Sequence, residues 1–151
     1  MQFNIYFFIL GSILIIFSAF GKAVCDALSH HYNGSVFKNM NARFWNPTES
    51  GGNKWKNGDR AQGEKFFLSS TLFVSFTEGW HVFDLVRNKF SVIGSLVLCY
   101  SIHLNFISLA LLSIFIFCLF GMSFEISYRK LLPGVEHVNY MQWLKKLRLK
   151  K

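Results

Sequence analysis

The chain has 151 residues, of which 52% are hydrophobic, and a formal net charge of +8. This length leaves room for one domain. Residues 90–124 contain no Asp, Glu, Lys or Arg, whereas a helix that crosses a bilayer needs about 20 apolar residues. The composition therefore excludes an ordinary soluble domain and indicates an integral membrane protein. In such a protein the surplus of Lys and Arg marks cytoplasmic loops.

The first 21 residues also lack charged side chains. An apolar run of this length predicts a first membrane span over about residues 4–24. A secretory signal peptide is the alternative, and Gly21-Lys22-Ala23 could pass as its cleavage site. However, signal peptides carry a positive segment before the apolar core, and no Lys or Arg precedes this run. We therefore favour a retained span.

Residues 22–65 are polar and rich in turn signals, such as Asn33-Gly34 and Asn57-Gly58. They carry seven basic and four acidic side chains. We predict an ordered loop on the membrane surface, packed over the helix ends. Its basic and aromatic residues suit lipid headgroups, and a nucleotide or nucleic acid is the less favoured partner. These residues are Arg43, Phe44, Trp45, Lys54, Trp55, Lys56 and Arg60.

Residues 66–88 show a polar stripe at helical spacing and predict one amphipathic helix. Such a helix either lies in the membrane interface or turns its stripe into the bundle. We expect a bend at Gly79, because glycine weakens a helix interior by about 1 kcal/mol. The polar residues of the stripe are Ser70, Thr77, His81, Asp84 and Asn88, with Glu78 beside it.

The uncharged run over residues 90–124 is too long for one span. As a single helix it would measure about 52 Å, against a hydrocarbon core of about 30 Å. Its least apolar part lies at Ser101, His103 and Asn105. A turn there predicts two antiparallel spans, over about residues 82–102 and 106–128, and one long tilted helix is the alternative.

The C-terminal segment, residues 135–151, predicts a basic amphipathic tail. Five of its last seven residues are positively charged. An anionic inner leaflet would attract them by about 1 kcal/mol per basic residue. A frayed, merely soluble terminus is the alternative.

The positive charges that follow the last span predict the orientation of the protein. Arg129, Lys130 and the tail place the C-terminus in the cytoplasm. Counting back across three spans, residues 22–89 are also cytoplasmic and the N-terminus lies outside. We therefore expect a multi-pass membrane protein, with the bacterial inner membrane as the favoured location.

Two pairs of carboxylate and imidazole side chains at helical spacing are candidates for chemistry. Asp26 and His30 are four residues apart, and Glu78 and His81 are three apart, with Asp84 three further on. On neighbouring helices the first four could bind zinc, iron or manganese. Glu78, His81 and Asp84 would then be the candidate catalytic residues, acting with a metal-bound water on a lipidic substrate.

A structural role is the favoured interpretation of the same side chains. Asp26 then pairs with Lys22, and His81 hydrogen-bonds across the helices. On this interpretation no cofactor is predicted, and a divalent metal is the alternative.

Several short segments between residues 26 and 84 resemble a group of small bacterial integral membrane proteins of unknown function. The resemblance implies only the membrane class and transfers no catalytic role. A Trp often follows the serine at position 50 in that group, and Gly51 stands here instead. The segments are Asp-Ala-Leu-Ser-x-His-Tyr (26–32), Phe-Trp-Asn-Pro (44–47), Asn-Lys-Trp-Lys-Asn-Gly-Asp (53–59), Gly-Glu-Lys-Phe (63–66), Ser-Ser-Thr (69–71) and Thr-Glu-Gly-Trp-His (77–81).

The sequence as a whole predicts a single all-α membrane domain over residues 1–151. We expect a helical bundle of three spans, with a cytoplasmic loop and an amphipathic helix over residues 25–86. A non-catalytic structural or interaction role is favoured, with a metal-dependent membrane enzyme as the alternative. The expected partners are the lipid bilayer and either another membrane protein or a second copy of the chain.

Overall fold

The computed structural model describes residues 3–102 and 105–132. Within these ranges the regular elements are all helical, which confirms the predicted all-α class. The predicted turn residue His103 and the predicted tail lie outside the described residues. The α-helices are α1 (Ile5–His31), α2 (Ala42–Trp45), α3 (Pro47–Ser50), α4 (Gly79–Ser101) and α5 (Phe106–Leu131). Short 3-10 helices lie at Tyr32–Gly34, Val36–Asn39, Lys56–Gly58, Arg60–Gln62 and Val74–Phe76.

The central element is α1, which packs against both α4 and α5, while those two make few contacts with each other. The Asn4 side chain caps its start by accepting hydrogen bonds from the amides of Tyr6 (3.1 Å) and Phe7 (3.3 Å). The buried face of α1 consists mainly of small side chains, which allow another helix to approach closely. These small residues are Gly11, Ser18, Ala19, Gly21, Ala23, Cys25 and Ala27.

Helix α4 runs antiparallel to α1 in a fixed register. The Ser18 hydroxyl donates to the Arg87 carbonyl oxygen at 2.7 Å, and the Cys25 thiol donates to the Trp80 carbonyl oxygen at 3.6 Å. Cys25 follows Ser18 by seven residues in α1, and Trp80 precedes Arg87 by seven residues in α4, as an antiparallel pair of helices requires. The backbone amide of Asn4 donates to the Ser101 carbonyl oxygen at 3.0 Å. The same register therefore extends to the start of α1 and the end of α4.

Glycines lie where the two helices come closest. A Cβ atom on Gly94 would lie 3.1 Å from the Gly11 carbonyl oxygen. A Cβ atom on Gly21 would lie 2.9 Å from the Phe83 carbonyl oxygen and 3.0 Å from the Arg87 nitrogen. Any larger side chain at Gly21 would therefore push the two backbones apart.

Helix α5 begins at a capping box formed by Asn105 and Ser108 and runs parallel to α1. The rings of Phe8 and Phe115 lie 5.1 Å apart near the start of both helices, and those of His31 and Tyr128 lie 6.0 Å apart near their ends. The end of α1, the start of α4 and the end of α5 consequently share one end of the structure. Residues 32–78, called the loop layer below, cover that end.

Among the residues that the structure describes, two helical stretches are long and apolar enough to cross a membrane. They are Ile5–Gly34 and Phe106–Leu131, whose most apolar 18 residues have mean hydropathies of 2.1 and 2.4. They cover the predicted spans over residues 4–24 and 106–128, apart from residue 4. Helix α4, which holds the predicted span over residues 82–102, is not among them, because its first half carries Asp84, Arg87 and Lys89.

The long uncharged run is divided at the predicted place. Helix α4 ends at Ser101 and α5 begins at Phe106. The alternative of one long tilted helix is therefore wrong. The polar residue Asn105 decides the break, because its side chain accepts a hydrogen bond from the Ser108 amide at 2.8 Å and so starts a new helix.

The predicted amphipathic helix over residues 66–88 is a wrong prediction. Residues 66–78 form turns and one 3-10 helix, and Gly79 is the first residue of α4, not a bend within a helix. Side chains compete with helical hydrogen bonds here. The Ser69 hydroxyl donates to the Lys54 carbonyl oxygen at 2.7 Å, and Leu68 has a positive φ of 54°. The polar stripe is therefore split between the loop layer and α4.

Candidate functional site

The loop layer is organised by a short antiparallel pairing over residues 54–65. The Lys65 amide donates to the Lys54 carbonyl oxygen at 2.9 Å, and the Lys56 amide donates to that of Gly63 at 3.0 Å. The chain reverses at Asn57 and Gly58, whose φ values are 51° and 79°. Asn and Gly tolerate this left-handed conformation best. The Asn-Gly turn signal therefore fixes the hairpin on which the polar site is built.

The Glu64 carboxylate holds the following turn in place. It accepts hydrogen bonds from the amides of Leu68 (3.0 Å) and Ser70 (3.1 Å), and also from the Ser70 hydroxyl. The Ser70 hydroxyl is the largest cause of a lowered pKa at Glu64, followed by the Ser70 and Leu68 amides. Because these donors favour the charged carboxylate, the turn is tied to the ionised form.

We expect the turn at residues 64–70 to loosen in acid. A lowered pKa in the folded state means that the stabilising contribution is present above the pKa of the unfolded chain. It is lost as the pH falls through the lowered pKa of Glu64. Carboxyl NMR of labelled protein should show Glu64 titrating below the ordinary range of a glutamate, and Ser70→Ala should raise its pKa towards that range. A Glu64 titration that Ser70→Ala does not alter would contradict this assignment.

A second carboxylate, Glu78, joins the loop layer to α4. Its side chain is only 10% exposed and lies 3.5 Å from the Lys54 ammonium and 3.0 Å from Nδ1 of His81. The His81 contact lacks hydrogen-bond geometry, so it is a close approach of the two side chains and not a hydrogen bond. The side-chain amide of Asn53 donates to the Thr77 carbonyl oxygen at 2.6 Å and stabilises the same junction. This arrangement can hold the hairpin against the start of α4.

We expect Glu78→Ala to lower the free energy of unfolding by about 1–3 kcal/mol, because it leaves the half-buried Lys54 ammonium without its counterion. The matched control is Glu125→Ala. Glu125 pairs with Arg129 at 2.7 Å, but both side chains are about half exposed, and exposed pairs contribute about 0–1 kcal/mol. Thermal unfolding of both variants in detergent measures the difference. Equal effects would contradict the junction role of Glu78.

The predicted metal residues are distributed over separate contacts. Asp26 pairs with Lys22 one helical turn away, as the structural interpretation expects, and His30 is exposed at the end of α1. Within residues 3–102 and 105–132, no group of three or more His, Cys, Asp or Glu side chains could hold a metal ion. Of the four candidates, the structure pairs Glu78 with His81. The metal-dependent reaction stays a prediction from the sequence.

The third candidate catalytic residue, Asp84, is engaged along its own helix. Its carboxylate lies 2.6 Å from the Arg87 guanidinium and accepts a hydrogen bond from the Asn88 amide at 3.1 Å. His81 lies three residues earlier in α4, and Glu78 is the residue that precedes the helix. Both of these contacts of Asp84 are made with residues of α4 itself.

The basic and aromatic residues of the loop take on different tasks. Trp45 is a packing residue: its ring stacks on Phe37 at 4.7 Å and covers Gly79. Arg43 and Trp55 instead line a polar cavity together with Lys65. Sequence reasoning missed Lys65, because its place beside Arg43 and Trp55 depends on the folded hairpin and no local pattern marks it.

Comparison with known proteins adds no relative. A scan against protein-family models, a search of curated proteins and a search of solved structures each found no match to this chain. The functional argument therefore rests on the geometry of the chain itself.

Proposed function

We propose that the chain is a multi-pass integral membrane protein in which α1, α4 and α5 cross the bilayer and the loop layer lies at its surface. The observation that carries this proposal is the exposure of α5. Its most apolar 18-residue window has a mean hydropathy of 2.4 and is only 6% buried. Water disfavours such a surface, whereas lipid chains accept it. The large exposed side chains of α5 include Phe106, Ile107, Leu111, Ile114, Phe117 and Met122.

The other two helices continue this apolar surface. Leu96 on α4 is 65% exposed, and Phe17 on α1 is 50% exposed. Both lie in segments without charged residues, over residues 5–21 of α1 and 90–101 of α4. Exposed apolar side chains on all three helices are typical of a protein surrounded by lipid.

The charged residues of the helices support the same placement. Lys22 and Asp26 of α1 and Asp84 and Arg87 of α4 lie towards the end covered by the loop layer, and each is paired with an opposite charge. Ionisable groups at membrane depth are costly and turn towards partners or water. We place this end at the membrane surface, facing the cytoplasm and the anionic inner leaflet of a bacterial inner membrane.

The favoured role is a non-catalytic one, as a structural or interaction protein. Glu64 and Glu78, two carboxylates of the loop layer, both hold the loop in shape. The exposed faces of the helices suit either lipid, another membrane protein or a second copy of this chain. Both α4 and α5 pack against α1. This packing supports the proposal that α1 stays in the mature protein as a membrane span and is not removed as a signal peptide.

Cysteine labelling from outside the cell tests this topology. In a background with Cys25, Cys99 and Cys118 replaced, single cysteines are introduced at Asn105 and at the exposed Lys56. We expect a membrane-impermeant maleimide to label position 105 in intact cells and position 56 only after lysis. Labelling of position 56 alone in intact cells would show that the protein has the opposite orientation. Labelling of both positions in intact cells would overturn the proposal that the helices cross the bilayer.

A further inference from the structure

An open polar cavity of about 550 Å³ lies in the loop layer. It is formed where α2 and α3 meet the hairpin over residues 54–65. Its volume falls within the range of about 300–1,000 Å³ that is usual for small-molecule sites. The side chains that line it are Arg43, Glu49, Asn53, Trp55, Asn57 and Lys65, together with two glycines.

Positive charge dominates this lining. The lining contains two positively charged side chains, Arg43 and Lys65, and one carboxylate, Glu49, which already accepts a hydrogen bond from the Asn46 side-chain amide at 2.9 Å. Arg60 adds a further positive charge nearby, since its guanidinium lies 5.6 Å from the centre of the Trp55 ring. The cavity is therefore suited to an anion.

The two lining cations differ in how they are held. The Lys65 ammonium donates to the Asn53 side-chain oxygen at 2.6 Å, and it keeps two further hydrogens for another acceptor. Arg43 makes no side-chain hydrogen bond or ion pair with any residue that the structure describes. Its guanidinium offers five N–H donors in a planar fork that fits phosphate and carboxylate oxygens.

We propose that this cavity binds a phosphate-bearing group, with the phosphate held between Arg43 and Lys65. The Glu49 carboxylate accepts a hydrogen bond from a hydroxyl or amine on the same molecule, and Trp55 packs against its carbon atoms. A lipid headgroup and a small soluble phosphate ester share this chemistry. Only the lipid source rests on the proposed membrane function, because it requires the loop layer to lie at the bilayer surface.

Binding by the full-length protein in dodecylmaltoside micelles tests the proposal. Three probes are titrated calorimetrically: inorganic phosphate, glycerol 3-phosphate and dihexanoyl-phosphatidylglycerol. Dioctanoylglycerol, which lacks phosphate, is the negative control. We expect saturable binding of at least one phosphate probe. Arg43→Gln should weaken it about tenfold, the loss expected for a charge-assisted hydrogen bond.

The matched control is Lys38→Gln, which removes an exposed positive charge from the loop layer outside the cavity lining. We expect it to change the affinity less than twofold. A tenfold preference for the lipid over glycerol 3-phosphate would assign the site to a headgroup, and equal affinities would assign it to a soluble ester. Either result supports binding of a phosphate-bearing group in the cavity. No saturable binding of any phosphate probe, or an equal loss in Lys38→Gln, would overturn it, whatever the labelling experiment shows.

Discussion

Replacement of Gly21 by leucine is expected to lower the free energy of unfolding by about 2–3 kcal/mol, at the upper end of the cost of overpacking a close contact. The Cβ atom alone would lie 2.9 Å from the Phe83 carbonyl oxygen and 3.0 Å from the Arg87 nitrogen. Both neighbours are backbone atoms, so no side-chain rotation can relieve the clash. The helices must separate, which also breaks the hydrogen bond from Ser18 to the Arg87 carbonyl oxygen.

Gly121 in α5 provides the matched control. It lies in the same kind of apolar helix, but an added Cβ atom would meet nothing within 4 Å. Gly121→Leu should leave stability unchanged or raise it by up to about 1 kcal/mol through helix propensity. Unfolding of detergent-solubilised protein by SDS, followed by circular dichroism, compares the two. If Gly21→Leu is as stable as Gly121→Leu, the close packing of α1 on α4 is wrong.

The second large effect is expected for Ile114→Arg in the middle of α5. Ile114 is 61% exposed, and in the proposed placement it faces lipid. An arginine at the centre of a spanning helix costs about 2.5–3.5 kcal/mol on insertion scales, which corresponds to a loss of roughly a hundredfold in the insertion equilibrium. We expect much less of the variant to resist extraction from membranes by alkaline carbonate.

Ile126→Arg is the control for this substitution. Ile126 is 56% exposed and lies next to Glu125 and near Arg129, at the charged end of α5, where a long basic side chain can reach the headgroups. We expect its membrane fraction to stay close to that of the unmodified protein. If the membrane fraction of Ile114→Arg also equals that of the unmodified protein, α5 faces water, because substitutions of side chains exposed to water cost about 0.5 kcal/mol or less.

The apolar helices could be predicted from the sequence because their signal is local. Runs without Asp, Glu, Lys or Arg located α1 and α5, and the polar residues around Asn105 located the break between α4 and α5. Each of these features depends on side chains within one or two helical turns. The pairing of Asp26 with Lys22 is local in the same sense, since four-residue spacing brings the two side chains together.

The loop layer was predicted less well, because its hydrogen bonds join distant parts of the chain. Residues 66–78 have a helical pattern of polar residues, yet Ser69 bonds to Lys54 and Glu64 bonds to Ser70 instead. Glu78 and His81 lie close together, as their three-residue spacing on a helix implies. The contact of Glu78 with Lys54, 24 residues earlier, had no signal in the spacing of the sequence.

The sequence by itself therefore determined the helical class, the two most apolar helices and the position of the break at Asn105, since these follow from side chains that are neighbours along the chain. Only the tertiary structure decided the register of α1 on α4. That register depends on backbone contact at Gly21 and on the hydrogen bonds of Ser18 and Cys25 to carbonyl groups more than fifty residues away. The tertiary structure likewise brought Arg43 and Lys65 to one cavity, because only the folded hairpin joins those two parts of the loop.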